Sequence, residues 1–212
     1  MSLVKYHKIK APFVRNIETK KLTNIYLSNE IGYLAELKWG WTEKVDGTNI
    51  RIYWDGYQLS LHGRNDNSQI PAEFIEYYYH TFINSGLDKI IEQEFGEKEV
   101  IFFGEGFGGK IQNGGKYGKT RFILFDMMIN GRYINSGMLG HYARKFSLGT
   151  VPTVLVGTLQ DAIDYVKTCP KSKLGDVEME GVVGKPLFPL YNEFGERVIT
   201  KVKVNDFKDW EA

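Results

Sequence analysis

Residues 49–62 read Asn-Ile-Arg-Ile-Tyr-Trp-Asp-Gly-Tyr-Gln-Leu-Ser-Leu-His, and they predict the fold class of the chain. Apolar and polar side chains alternate over 49–54 and again over 57–62, which is typical of two half-buried strands. Between them, Asp55-Gly56 supplies the positive φ angles that a two-residue hairpin turn requires. The stretch therefore predicts an antiparallel β-hairpin.

Strands and helices follow one another in the rest of the chain. The apolar runs predict strands at 100–105, 121–129, 132–134, 179–185 and 197–204. A helical pattern covers 71–94 with a break at Gly86, and Ser136 and Thr158 are predicted to cap helices that end at Phe146 and Lys167. Antiparallel hairpins with inserted helices indicate an α+β fold and not a doubly wound sheet.

Composition limits the class of protein. The chain has 212 residues, 27 basic and 26 acidic side chains and a net charge of +1, which excludes a protein that is basic throughout but permits a local basic site. The single cysteine, Cys169, excludes an internal disulfide framework and a multi-cysteine zinc site. We find no apolar run near the ~20 residues that span a bilayer and no apolar leader, so we expect a cytoplasmic protein without a membrane partner.

A lysine motif directly precedes the hairpin. Residues 42–49 read Thr-Glu-Lys-Val-Asp-Gly-Thr-Asn. The amine of Lys44 must lose a proton before it attacks an electrophile, and nearby cations favour the neutral form. From this octapeptide alone, an activated nucleophile and an exposed hairpin lysine are equal alternatives.

Four further segments place acids and lysines at strand ends. They are Phe103-Gly104-Glu105-Gly106-Phe107-Gly108, Phe122-Ile123-Leu124-Phe125-Asp126, Glu178-Met179-Glu180-Gly181-Val182-Val183 and Ile199-Thr200-Lys201-Val202-Lys203. On a strand, Lys201 and Lys203 project from one face, as do Glu178 and Glu180.

Taken in order, the five segments resemble the nucleotidyl motifs of the covalent nucleotidyltransferase superfamily. This superfamily comprises ATP-dependent DNA and RNA ligases and mRNA capping guanylyltransferases. The Glu-Lys-x-x-Gly-Thr-Asn context together with Phe-Phe-Gly-Glu is most similar to the RNA ligase 2 type and its RNA-ligase-domain relatives. The resemblance implies an α+β, antiparallel-sheet nucleotidyltransferase (adenylation) domain of ATP-grasp-like ligase type, with two sheets flanked by helices, over residues 1–212.

The same resemblance implies a reaction and its catalytic residues. Lys44 matches the lysine that attacks the α-phosphate of ATP and holds AMP, which then passes to a 5′-phosphate end and is displaced by a 3′-hydroxyl. Lys201 and Lys203 match the phosphate-contacting lysines, which would favour the neutral Lys44 amine. The implied partners are RNA ends or nicked duplex ends.

The resemblance also implies binding residues for ATP and for Mg²⁺ or Mn²⁺. Glu180 and Asp126 are the implied metal carboxylates. Phe122 and Phe125 stand in one apolar run, so the ring that stacks on adenine can equally be core. The implied ATP contacts are Glu105 with ribose, Phe125 and Glu43 with adenine, Arg64 with phosphate, and Asn49.

A second basic feature is informative without the family. Residues 108–121, called the basic loop below, read Gly-Gly-Lys-Ile-Gln-Asn-Gly-Gly-Lys-Tyr-Gly-Lys-Thr-Arg and hold four cations and no acid. Such a loop between two strands is either a contact for phosphates or an ordinary solvated loop.

Two departures from the resemblance leave alternatives open. Asp46 stands where RNA ligase 2 relatives often carry histidine, and only nine residues follow Lys203. We therefore expect no C-terminal OB-fold or accessory domain, with a minimal ligase, an excised adenylation domain and a subunit that needs a separate C-terminal domain all open. A DNA ligase adenylation domain, a GTP-dependent capping guanylyltransferase and a non-catalytic nucleotide- or nucleic-acid-binding module are the alternative functions.

Overall fold

The computed structural model describes residues 3–65, 67–112 and 114–210, which form short strands interspersed with helices. The strands are β1 (Phe13–Arg15), β2 (Leu22–Tyr26), β3 (Trp39–Glu43), β4 (Thr48–Trp54), β5 (Leu59–Gly63), β6 (Val100–Phe107), β7 (Arg121–Ile129), β8 (Arg132–Tyr133), β9 (Gly149–Thr150), β10 (Thr153–Gly157), β11 (Gly181–Pro186) and β12 (Thr200–Lys203). The α-helices are α1 (Asn29–Leu34), α2 (Ala72–Tyr78), α3 (Leu87–Phe95), α4 (Ser136–Lys145), α5 (Leu159–Lys167) and α6 (Val204–Phe207). A π-helical turn continues α2 over Tyr79–Ile83, and a 3₁₀ turn covers Gly114–Tyr117.

The chain divides into two compact units, each with its own hydrophobic core. The first unit comprises residues 3–7 and Asp46–Val151, and the second comprises Lys8–Val45 and residues 152–210. The single nucleotidyltransferase domain expected over residues 1–212 stays a prediction. Within the described residues, every helix is too short or too polar to cross a membrane.

The predicted hairpin forms part of a six-stranded sheet in the first unit. The strand order is β5-β4-β6-β7-β8, all antiparallel, with β9 parallel beside β7. The side chains of Ile50, Ile52 and Trp54 are at most 2% exposed and pack into the core, whereas Asn49 and Arg51 lie on the opposite face. The alternation that predicted the hairpin thus also separates the core face from a second, polar face.

The hairpin turn differs from the prediction. Trp54 pairs with Leu59, so the turn has four residues, 55–58, and the second strand begins two residues later than expected. The carboxylate of Asp55 accepts the backbone N–H groups of Tyr57 and Gln58, each at 2.8 Å. This local capture of two N–H groups by an aspartate side chain favours the longer turn.

The helices of the first unit cover the core face of this sheet. Phe74, Tyr78 and Phe82 are buried as their helical spacing predicts, and Gly86 breaks the segment at a φ of +80°. The α4 cap was wrong by one residue, since Asn135 and not Ser136 caps the helix by accepting the N–H of Met138 at 2.9 Å.

The second unit contains a four-stranded antiparallel sheet in the order β10-β3-β11-β12 and the two-stranded sheet β1-β2. The predicted α+β architecture with two main sheets is confirmed, and the small β1-β2 sheet is an addition to it. Thr158 caps α5 as predicted, through a capping box with Asp161. Strand β3 was not predicted, although Trp39, Trp41 and Glu43 alternate along it, and all three are at most 2% exposed.

We expect Gly104→Ala to destabilise the protein by about 1–3 kcal/mol, the usual cost of overpacking a core. A Cβ atom at Gly104 would lie 2.2 Å from the Phe122 ring and 2.5 Å from the Ile123 carbonyl oxygen. Gly149→Ala is the matched control, because the nearest atom to its Cβ would lie at 3.9 Å. Urea unfolding measures both variants, and equal midpoints would contradict the close packing of Phe122 on β6.

Candidate active site

Five predicted site residues lie at strand ends of the second unit: Glu43, Lys44, Glu180, Lys201 and Lys203. Lys44 follows β3 directly, and its backbone N–H donates to the carbonyl of Gly181 at 2.8 Å. The antiparallel register places Gly181 opposite Lys203 and Val183 opposite Lys201. Pairing of β3, β11 and β12 therefore brings side chains that are far apart in sequence to one part of the sheet.

Glu180 is the centre of this group. Its carboxylate accepts hydrogen bonds from the ammonium groups of Lys44 and of Lys203, the latter at 2.7 Å. Burial raises the pKa of the Glu180 carboxyl, but the charges and hydrogen bonds of Lys44 and Lys203 together outweigh burial and hold that pKa below its ordinary value. Glu180 is therefore ionised at neutral pH and is a salt-bridge partner of both lysines.

Lys201 adds a third ammonium group, which forms no ion pair with a carboxylate of the described residues. Burial lowers the pKa of Lys201, and the positive charges of Lys44 and Lys203 lower it further. Asp206, which also acts on Lys201, is itself paired with Arg15 at 2.9 Å. Three ammonium groups around one carboxylate leave an excess of positive charge, which favours binding of a phosphate-bearing anion.

Glu43 points away from solvent and is 2% exposed. Its carboxylate accepts the hydroxyl of Ser172 and the backbone N–H of Lys173, the latter at 2.9 Å. The side chain thus fixes the segment before β11, and contact of Glu43 with adenine stays a prediction. Glu178 and Glu180 both precede β11, and Glu178 is exposed, so their sharing of a strand face stays a prediction.

The other five predicted residues lie in the first unit: Asn49, Arg64, Glu105, Phe125 and Asp126. Asn49 on β4 stands opposite Glu105 on β6, so these two side chains are neighbours on the polar face of the sheet. The Oδ1 atom of Asn49 is buried and has no hydrogen-bond partner among the described residues. Arg64 is exposed directly after β5.

The structure distinguishes the two phenylalanines of β7. Phe122 is 4% exposed and packs against Phe74 and Phe82, so it is a core residue. The register between β6 and β7 shifts at Phe125, because Asp126 pairs with Phe103 but Leu124 pairs with Gly104. Phe125 occupies this bulge and is only half-buried, and bulges commonly redirect a side chain in this way.

Asp126 is 2% exposed and hydrogen-bonded within the first unit. Its Oδ2 atom accepts the hydroxyl of Tyr6 at 2.9 Å, and its Oδ1 atom accepts the backbone N–H of Met127 at 3.2 Å. The ring of Tyr6 meets Phe125 edge-on at a centroid distance of 4.9 Å and contacts Phe103 at 5.1 Å. Tyr6 therefore positions both Asp126 and Phe125.

Arg51 holds the segment that carries Tyr6. Its guanidinium is fully buried and donates to the carbonyls of Leu3, Val4 and Gly63 at 2.9, 3.1 and 2.8 Å. Sequence reasoning missed Tyr6, Arg51 and Ser172, because each acts through partners at least a dozen residues away. The position of Arg51 between Ile50 and Ile52 was the one available signal, since alternation places it on the polar face.

The residues of the site are compatible with a metal ion that takes most of its ligands from the phosphates of a bound molecule. Within the described ranges, no group of three or more histidine, cysteine, aspartate or glutamate side chains is placed to hold a metal. Mg²⁺ commonly takes one or two carboxylates together with phosphate and water oxygens, a need that Glu180 can meet. Metal ligation by Asp126 stays a prediction. In this structure, each oxygen of its carboxylate accepts a hydrogen bond from the protein.

Solved structures of Naegleria gruberi RNA ligase share this fold. A mutant form with ATP and Mn matches with a TM-score of 0.62 at 19% identity, covering 85% of this chain and 54% of that chain. A mutant form with AMP and Mn gives 0.68 at 16%, covering 97% and 57%, and a structure with PPi gives 0.62 at 21%, covering 83% and 52%. The fold is that of an RNA ligase, and the chain spans little more than half of each of these structures.

The family is defined by sequence as well. The RNA ligase family model matches residues 37–203, which include ten of the twelve strands described above and all ten predicted site residues. The chain belongs to the RNA ligase family. A comparison with curated protein sequences finds no match.

We expect Tyr6→Phe to lower the free energy of unfolding by about 1–3 kcal/mol, because the buried Asp126 carboxylate loses a hydrogen-bond donor. Tyr57→Phe is the control, since Tyr57 is 78% exposed. Urea unfolding measures both, and no difference between them would contradict the positioning role of the Tyr6 hydroxyl.

We expect Glu180→Gln to destabilise the protein by about 1–3 kcal/mol at neutral pH, because two ammonium groups lose their anionic partner. The Glu180 pKa lies below the ordinary 4.5, so its contribution is complete above pH 4.5 and is lost as pH falls through the folded-state pKa. Urea unfolding at a series of pH values should show the wild type and the variant converging at low pH. Glu178→Gln is the control on an exposed neighbour, and a difference that grows on acidification would contradict the ion-pair assignment.

Proposed function

We propose that this chain is an ATP-dependent RNA ligase that acts through a covalent lysyl-AMP intermediate on Lys44. The observation that carries the proposal is the group in which Glu180 pairs with Lys44 and Lys203 while Lys201 lies nearby. Membership of the RNA ligase family supports RNA ends as the substrate.

The first step forms a bond between Lys44 Nζ and the α-phosphorus of ATP, while the bond from that phosphorus to pyrophosphate breaks. The Lys44 amine is neutral when it attacks, and its proton is released. Lys201 and Lys203 supply positive charge for the phosphoryl group, where such charge contributes most in the transition state. Lys201 and Lys203 alternate with the buried residues Thr200 and Val202 along β12, so both lysine side chains project from one face of the strand.

The second and third steps pass AMP onward. A 5′-phosphate oxygen of the RNA attacks the lysyl-AMP phosphorus and releases the Lys44 amine. A 3′-hydroxyl then attacks the activated 5′-phosphate, forms the phosphodiester and releases AMP. Each step is a phosphoryl-type transfer, for which alignment and charge neutralisation are the main tasks of the protein.

The remaining predicted residues are proposed to bind the nucleotide. A carboxylate accepts two hydrogen bonds from a diol, so Glu105 suits the ribose hydroxyls, and Asn49 stands opposite it. Phe125 at its bulge suits stacking on adenine, a contact worth about 1–3 kcal/mol. Arg64 is proposed to contact phosphate and Glu43 the adenine edge.

Glu180 is the proposed ligand of Mg²⁺ or Mn²⁺. The bound ion would supply positive charge to the phosphates. Because Glu180 already accepts from Lys44 and Lys203, the ion and the two ammonium groups would compete for the same carboxylate oxygens.

Incubation with α-labelled ATP and Mg²⁺ should leave label covalently on the protein. Lys44→Ala and Lys44→Arg should abolish the label, because neither side chain forms the phosphoramidate. Lys203→Ala should slow labelling by roughly 10²-fold or more, the usual cost of losing one charge-stabilising group. Gel electrophoresis under denaturing conditions measures the label.

Lys21→Ala is the matched control for these variants, since Lys21 is an exposed lysine of the same unit. Label that persists in Lys44→Ala would refute the nucleophile. Label from α-labelled GTP but not from ATP would favour the guanylyltransferase alternative, and ATP binding without any adduct would favour a binding module. Ligation tested in parallel on nicked RNA, nicked DNA and single-stranded RNA then identifies the substrate.

A further inference from the structure

The basic loop rests on buried residues of the first unit. Ile111 and Tyr117 are each 3% exposed, and Ile111 belongs to the core beneath the six-stranded sheet. The N–H of Gly109 donates to the carbonyl of Gly118 at 2.7 Å, which closes the base of the loop. A Cβ atom at Gly108, where φ is +85°, would lie 2.2 Å from the Lys119 carbonyl oxygen, so this closure requires glycine.

One carboxylate accepts hydrogen bonds from both sides of the basic loop, an arrangement called the clasp below. Glu73, in the first turn of α2, accepts the backbone N–H of Lys110 and the hydroxyl of Thr120, each at 3.1 Å. The clasp and the buried residues hold the backbone on both sides of the loop. Much of the conformational entropy that a loose loop would lose on binding is therefore already lost on folding.

The lysines of this loop differ from its arginine. The Lys110 side chain is 93% exposed, although its ammonium group lies 3.8 Å from the Glu73 carboxylate, and Lys116 and Lys119 are exposed. Arg121, in contrast, packs its guanidinium over the Phe107 ring at 4.9 Å and donates to the Tyr117 carbonyl at 2.9 Å. The loop thus presents three cations to solvent while the fourth supports the structure.

The loop also lies close to a proposed nucleotide contact. Glu105 and Lys110 are five residues apart, and β6 leads directly from the first into the loop. Five residues of extended chain span at most about 17 Å, so Lys110 lies within that distance of Glu105. Exposed lysines on an ordered backbone at this position are suited to bind the phosphates of an RNA strand whose end is being joined.

We propose that Lys110, Lys116 and Lys119 bind the sugar-phosphate backbone of the RNA substrate. This proposal rests on the proposed function for the identity of the strand. Lysine contacts to phosphate are independent of base sequence and are weakened by salt, because binding releases counterions. The loop therefore contributes affinity for the strand and takes no part in the transfer of AMP to Lys44.

The test is direct RNA binding by the full chain carrying Lys44→Ala, so that no chemistry intervenes. Combined Lys110→Ala, Lys116→Ala and Lys119→Ala should weaken binding of a fluorescein-labelled single-stranded RNA roughly tenfold or more at low salt. The slope of log affinity against log salt should become shallower by about two, the value for three lost contacts to a single strand. Fluorescence anisotropy measures both quantities, and Arg121 is left unchanged because of its structural contacts.

Two matched variants complete the experiment. Lys89→Ala in α3, Lys98→Ala before β6 and Arg132→Ala after β7 together remove the same charge from exposed positions of the first unit outside the basic loop. This variant should keep the wild-type slope. Replacement of the three loop lysines by arginine should restore most of the affinity. An alanine variant that melts like its parent yet keeps its slope and affinity would overturn the proposal, as would a loss confined to one RNA sequence.

Failure of this proposal and failure of the proposed function have different signatures. When Lys44 is left unchanged, the variant with the three loop lysines replaced by alanine should acquire label from α-labelled ATP at the wild-type rate. Normal labelling with unchanged RNA binding would overturn only the loop assignment. Absence of label from the unaltered protein would overturn the ligase, whereas the salt slope would still report on the loop.

Discussion

The carboxylate of Glu180 is the anion that holds the cluster of lysines in the second unit together. It accepts from Lys44, which follows β3, and from Lys203 on β12, while Glu180 itself directly precedes β11. Three ammonium groups at adjacent strand ends repel one another, and one ionised carboxylate offsets only part of that repulsion. Sheet pairing holds the remaining positive charge in place, and the proposed binding of a phosphate depends on that charge.

In the first unit, the sheet orients both apolar and polar side chains on its polar face. Phe125 leaves the regular register at a bulge, and Tyr6 supports both its ring and the Asp126 carboxylate. Glu105 and Asn49 reach the same face through ordinary strand pairing. Regular and irregular backbone therefore each contribute to the face that carries the proposed nucleotide contacts.

Sequence patterns predicted what depends on neighbouring residues. The alternation through Ile50 and Ile52, the break at Gly86 and the helix cap at Thr158 are all local, and all three are confirmed. The order of five motifs identified the family, because order along the chain survives where identity to solved structures is near 20%.

The features that were missed depend on distant partners or on competition between near neighbours. Asp55 captured two N–H groups and lengthened the hairpin turn, and Asn135 replaced Ser136 as a cap. Burial of Glu43 depends on Ser172, which no pattern around the lysine motif indicates. The bulge that separates Phe125 from Phe122 arises from the pairing of β6 with β7 and leaves no trace in the sequence of β7 alone.

The contacts of Arg51 bear on how much of the chain is needed for folding. Its partners at Leu3 and Val4 are main-chain carbonyls, so this anchor imposes no requirement on the side chains of those two residues and escapes a comparison of sequences. The family match begins only at residue 37. A chain shortened to that boundary would keep every motif, yet the Arg51 guanidinium would lose two of its acceptors and the main chain that covers it, a cost that matters beside the marginal stability of a domain.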